Sequence, residues 1–191
     1  MKKKALLIAV VAIALAVVTA ASVTVAWLTS KSEVVENTFT VGKIEIHLAE
    51  TTGTTGYKVV PGGRDDKDPT VTVVAGSEMC YVYVLVENNL VIGSTVVGTP
   101  NIDTDNWEEV KTDGNKTLYR YVSEVDASSA AKTLPVFTEV TYDGDAITSE
   151  NITSLDGKKI IVSAFAHQSI NLTNIDTANN AAIAWAFPSN P

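Results

Sequence analysis

Two histidines, one cysteine and a set of acidic side chains are the residues of this chain best suited to chemistry. A catalytic zinc takes three protein ligands, drawn from His, Glu, Asp or Cys, and keeps a water. His47 is followed by Leu48-Ala49-Glu50 and His167 by Gln168-Ser169-Ile170, so the chain has no His-Glu-x-x-His element. Glu45 and Glu50 flank His47, but residues one, two or three apart on a strand do not converge on one ion. Both histidines read as ordinary strand residues. Cys80 is the single cysteine, which rules out an intrachain disulfide and leaves stability to the core. It lacks an identifiable histidine partner and sits in a strongly apolar segment, so it reads as a buried structural thiol; an intermolecular disulfide is the alternative. No Gly-x-Ser-x-Gly element is present.

Two acidic stretches offer hard oxygen ligands, Asp103-x-Asp105-Asn106 and Arg64-Asp65-Asp66-Lys67-Asp68. Neither has the glycine and terminal glutamate spacing of a calcium loop, and both read as solvated loop acids. The residues themselves therefore predict no catalytic group, no metal site and no cofactor.

The elements that position these residues begin with the amino terminus. Lys2, Lys3 and Lys4 precede 22 uncharged residues, 5–26. A charged start, an apolar middle and small residues at its end read as a secretory signal. An uncleaved membrane anchor is the alternative, since about 20 apolar residues span a bilayer. Thr24 and Ala26 supply the small residues for a cut before Trp27; cuts after Ala20 or Ala21 are also permitted. The expected organisation is a signal over 1–26, a tail over 27–37 and one domain over 38–191. From Trp27 onward the chain carries 11 basic and 22 acidic residues, a net charge of −11. That excess disfavours nucleic acid, whose phosphates select basic faces, and suits a solvated acidic surface.

Within the domain, Phe39, Val41, Ile44, Ile46 and Leu48 alternate with polar residues, as a half-buried strand requires, with a slip at Gly42-Lys43 that predicts a β-bulge. Residues 57–60 predict a short strand, 64–69 a charged loop and 70–74 a strand. Residues 79–87, MCYVYVLVE, are apolar on both faces and belong centrally in a sheet. Residues 88–105 read as a long loop. Residues 107–110 and 117–122 flank Asp113-Gly114, a hairpin signal. Residues 123–132 predict a helical turn or a loop, 134–142 one strand and 159–167 a late core strand. Asp176 reads as the N-cap of a short alanine-rich helix carrying Ile183 and Trp185, which Pro188 stops. About eight strands, one helix and no βαβ alternation predict an all-β fold, an antiparallel β-sandwich or jelly roll with a short C-terminal helix.

In order along the chain stand Ala26-Trp27-Leu28-Thr29, Asn37-Thr38-Phe39-Thr40-Val41-Gly42, Val60-Pro61-Gly62 and Lys67-Asp68-Pro69-Thr70-Val71-Thr72-Val73. Gly76-Ser77-Glu78, Cys80-Tyr81-Val82, Thr133-Leu134-Pro135 and Ala164-Phe165-Ala166 follow. In this ordered set the chain resembles the TasA/camelysin family of secreted Gram-positive proteins. The resemblance implies a jelly-roll sandwich, export, cleavage before Trp27 by a SipW-type signal peptidase, and residence in the biofilm matrix or on the cell surface. For the TasA branch it also implies self-assembly by donor-strand exchange, the freed N-terminal segment of one subunit completing the sheet of the next. Here that segment is 27–36, with Trp27, Leu28, Val34 and Val35 as its apolar residues. An added strand supplies main-chain hydrogen bonds and apolar side chains to an open edge, and a head-to-tail contact that does not close gives a filament. The camelysin branch implies a surface metalloprotease, for which the zinc motif is missing; a monomeric surface adhesin is a third reading. The membrane is expected as a partner only through the signal segment. In a bacterial product the sequons at Asn115, Asn151 and Asn171 read as chance matches. Leu134-Pro135 lacks the remainder of a sorting motif.

Overall fold

The computed structural model describes residues 42–51 and 58–188. Thr24, Ala26, Trp27, Leu28, Val34 and Val35, and with them the expected signal and tail, lie outside the described residues. The described chain is mostly β, with antiparallel sheets and one short helix near the C-terminus. Among the described residues no helix is long and apolar enough to cross a membrane.

The strands are β1 (Ile46–Ala49), β2 (Arg64–Asp66), β3 (Thr70–Val73), β4 (Cys80–Asn88), β5 (Val91–Ile92), β6 (Thr95–Val96), β7 (Gly98–Pro100), β8 (Trp107–Asp113), β9 (Lys116–Tyr121), β10 (Lys132–Pro135), β11 (Glu139–Tyr142) and β12 (Ile160–Gln168). The helix α1 is Asp176–Ala186. Four sheets run β12-β4-β9-β8, β1-β3-β10, β2-β11-β7 and β5-β6.

β4 carries the architecture. Its alternate residues Val82 and Val84 face a large core with Val71, Val73, Leu134, Val136, Phe137 and Val140. Tyr83 and Leu85 point the other way, into a second cluster with Leu118 of β9 and Ala178, Ala182 and Ala186 of α1. The three alanines recur every fourth residue, one stripe of a helix. Their small side chains let α1 lie close on the sheet. A strand covered on both faces must be apolar on both faces, which explains the composition of residues 79–87.

The hairpin forms as its residues dictate. Asp113 pairs with Lys116, and Gly114 takes φ 60° at the first loop position. A side chain would resist that conformation, and positive φ at this position alone is the II′ pattern that matches strand twist.

Several segments differ from expectation. There are twelve described strands, not about eight. Residues 88–105 hold the short β5, β6 and β7, whose two or three residues are too few to show a period. The charged 64–69 loop contains β2, which pairs with β11. Its charges are accommodated because Arg64 meets Glu139 at 3.1 Å and Asp65 accepts from Tyr142 Oη at 2.7 Å. Residues 134–142 are not one strand. β10 ends at Pro135 and β11 begins at Glu139 in a different sheet, while Val136 and Phe137 are buried where the chain crosses between sheets. Pro135, which has no N–H to give a ladder, stands at the end of β10 and marks the break in the sequence. Residues 58–60 are not a strand; Val60 O accepts from Gly63 N in a turn at 2.8 Å.

At the start of the domain, β1 is Ile46–Ala49, and residues 42–45 lie outside any strand. Even so, Glu45 O and Lys43 O accept main-chain bonds from Val74 and Glu78, both at 2.9 Å. Phe39 and Val41 fall outside the described residues. Residues 123–132 form a loop up to β10, tied by an isolated bridge between Cys80 and Val125. Asp176 is the first helical residue rather than the cap. Asn174, two residues earlier, accepts from Asp176 N at 2.9 Å and donates to its carboxylate at 2.6 Å.

Candidate functional site

The residues singled out for chemistry are dispersed. His47 lies on β1, where its Nε2 is 3.4 Å from Glu45 Oε1. Glu45 also pairs with Lys43, and that hydrogen bond is the main reason its carboxyl sits below the usual range. His167 lies on β12, with Nδ1 2.8 Å from Gln168 O. The two histidines share no hydrogen bond with each other among the described residues. Glu50 is held by Lys67. No group of three or more His, Cys, Asp or Glu is placed to hold a metal among the described residues.

The acidic stretches are structural in detail. Asp103 Oδ2 accepts from Asn106 Nδ2 at 2.8 Å, and Asp103 O accepts from Trp107 N at 2.8 Å, so this aspartate shapes the turn into β8. Asp68 binds Thr51 through both its main-chain N, at 2.9 Å, and its hydroxyl. Asn115 donates to Asn89 at 2.6 Å, and Asn151 donates to Ala146 O at 2.9 Å.

Cys80 is buried, its Sγ 4.0 Å from Val125 O. Burial pushes the thiol up to about 11 and the Tyr83 phenol up to about 12. In both, the uncharged form is the one the fold prefers. Their contribution is complete below the ordinary values of 9.0 and 10.0 and is lost as pH rises through the folded values. The unfolding midpoint should therefore fall steadily above about pH 9, and iodoacetamide at pH 8 should label Cys80 only in denaturant. Stoichiometric labelling of folded protein by mass spectrometry would contradict this burial.

The two edges of the four-stranded sheet differ in kind. β8, at one edge, carries Glu108, Glu109, Lys111 and Asp113, and its register shifts between Glu109 and Lys111. Charges and a bulge are how natural sheets blunt an edge. β12, at the other edge, is nine residues long with no Asp, Glu, Lys or Arg. It pairs with β4 over its whole length, Val162 opposite Val86, Ala164 opposite Val84 and Ala166 opposite Val82. No described strand pairs with its other side.

None of the nine β12 residues is fully buried, although Ile160, Val162, Ala164 and Ala166 pack on the main core. On the outer face Ile161 is 42 % exposed. Phe165 stacks on Trp185 of α1 with centroids 5.3 Å apart and planes at 20°, and Trp185 is 36 % exposed. β1, itself the end strand of its sheet, approaches β12 without sharing a ladder with it.

An unpaired, uncharged, incompletely covered strand is a template for main-chain pairing. The sequence carried half of this signal, since the segment KIIVSAFAH has no acid and WEEVKTD has three. It did not show that both are edges, because strand order is set by long-range pairing. No protein-family model matches this chain, and no curated protein shows significant similarity to it.

Proposed function

We propose that the chain is a secreted, non-enzymatic structural protein: a TasA-like subunit of extracellular fibres, built as a jelly-roll sandwich and joined head to tail by its N-terminal segment. The single observation that carries this reading is the β12 edge, long, uncharged and unpaired among the described residues, opposite a β8 edge blunted by charge. The sandwich reading is supported by one buried cluster that collects side chains from β3, β4, β10 and β11, members of three different sheets.

The donor is residues 27–36. If extended on binding, its ten residues would run alongside the nine of β12, at about 3.3 Å per residue. Addition would satisfy the open main-chain groups and cover the half-buried Ile160, Val162 and Ala164. The signal segment restrains this by holding residues 27–36 at the membrane until a SipW-type signal peptidase releases Trp27. The product then belongs to the extracellular matrix or the cell surface, its principal partner another copy of itself.

Negative-stain electron microscopy of protein beginning at Trp27, beside protein lacking residues 27–37, tests the reading. Filaments from the first and monomers from the second are expected. Filaments from both would remove the tail from the mechanism, and monomers from both would overturn self-assembly.

A further inference from the structure

A cavity of about 720 Å³ opens where β12 begins, between β11, the start of β2 and the segment after the 3-10 turn Ile152–Leu155. Its volume lies within the range of roughly 300–1,000 Å³ typical of small-molecule sites. Lys58, Lys158 and Lys159 line it, and none of these makes an ion pair among the described residues. In a chain with net charge −8, three such cations line one opening, beside the carboxylates of Glu50, Asp65 and Asp156. Of the carboxylates on the wall, Glu50 is held by Lys67 and Asp65 accepts from Tyr142 Oη at 2.7 Å, which leaves Asp156 as the exposed one.

The rest of the lining narrows the ligand. Val59, Leu90 and Ile160 give the cavity an apolar side, suited to the C–H face of a ring. The Tyr142–Asp65 pair, the Thr153 hydroxyl and Asp156 offer both donors and acceptors. An inorganic anion would use the lysines alone and leave the apolar side and the hydroxyl partners unused. A neutral sugar would use the hydroxyl partners and leave the lysines unanswered. We propose that this cavity binds an acidic sugar, a uronate residue of an anionic polysaccharide, with its carboxylate on Lys158 and Lys159 and its hydroxyls on Tyr142, Asp65 and Asp156. Of the β12 residues proposed to take up the donor, the site uses only Ile160.

The test is a titration of the full-length chain with glucuronate, glucose and inorganic phosphate, followed by chemical shifts of the backbone amides over 156–160. Glucuronate is expected to give saturable shifts there that weaken with added salt, with glucose and phosphate giving weaker ones. The double variant K158E/K159E changes two exposed side chains, so its fold is expected to persist, as circular dichroism would check. Charge reversal should weaken glucuronate binding by about tenfold or more. Tyr142→Phe removes one hydroxyl and should weaken glucuronate while leaving phosphate unchanged. Glucose binding as tightly as glucuronate, phosphate binding as tightly as glucuronate, or a K158E/K159E protein that binds normally would each overturn the proposal, as would no saturable shift at all.

Discussion

Trp107→Ala should cost the domain about 4–5 kcal/mol and lower its melting temperature by about 10 °C or more. Trp107 opens β8 and is 1 % exposed. Its ring meets Tyr121 edge-on, with centroids 5.2 Å apart and planes at 76°. Its indole Nε1 donates to Pro135 O at 2.7 Å. One side chain therefore joins β8, in the four-stranded sheet, to β10, in the three-stranded one. Truncation leaves a void among side chains that cannot collapse fully, and it strands the Pro135 carbonyl without its donor, a further penalty of about 1–3 kcal/mol. Set against a total stability of about 5–15 kcal/mol, that is a large fraction. Trp107→Phe keeps most of the volume and loses only the donor, so it should cost clearly less. Thermal melts of the three proteins decide the matter; an alanine variant within about 1 kcal/mol of the parent would mean that the sheets are not joined here.

The second large effect concerns assembly rather than stability. Ile161→Lys combined with Ser163→Lys places two cations on the outer face of β12. Ile161 is partly exposed and Ser163 half-buried, and neither is in the buried core, so the monomer should melt within several degrees of the parent. The edge, however, becomes like β8: charged, and therefore a poor template for another strand. Electron microscopy of protein beginning at Trp27 should show filaments lost or reduced to short fragments. Filaments of normal length from the double variant would remove β12 as the receiving edge and send attention to the end strands β1 and β10.

The two edges also show what the sequence could and could not convey. The two-faced apolar character of residues 79–87 announced a central strand, because burial on both faces leaves no room for polar alternation. The β8–β9 hairpin was legible from Asp113-Gly114, a local signal. What stayed hidden was non-local. Pro135 marks the end of β10 but not the change of sheet at Val136 and Phe137, and β2 looks like a loop because its charges find partners only in the folded molecule. The lysine-lined cavity was invisible for the same reason. Lys58 and Lys158 are a hundred residues apart in the chain, and only the pairing of β11 with β2 and of β12 with β4 brings their segments to one opening.

β4 forms in the middle of the chain, yet its long partner β12 and its outer cover α1 both come from the last 32 residues. Until that segment has been made, Tyr83, Leu85 and Leu118 have no lid, and the main core is missing one wall. The order of synthesis thus becomes an order of competence. On the proposed reading, the edge that would receive another subunit's tail cannot be offered until residues 160–168 have followed β4. Contacts so distant in sequence are also slow to form. If β12 is the receiving edge, the capacity to join waits until that later segment has docked on β4.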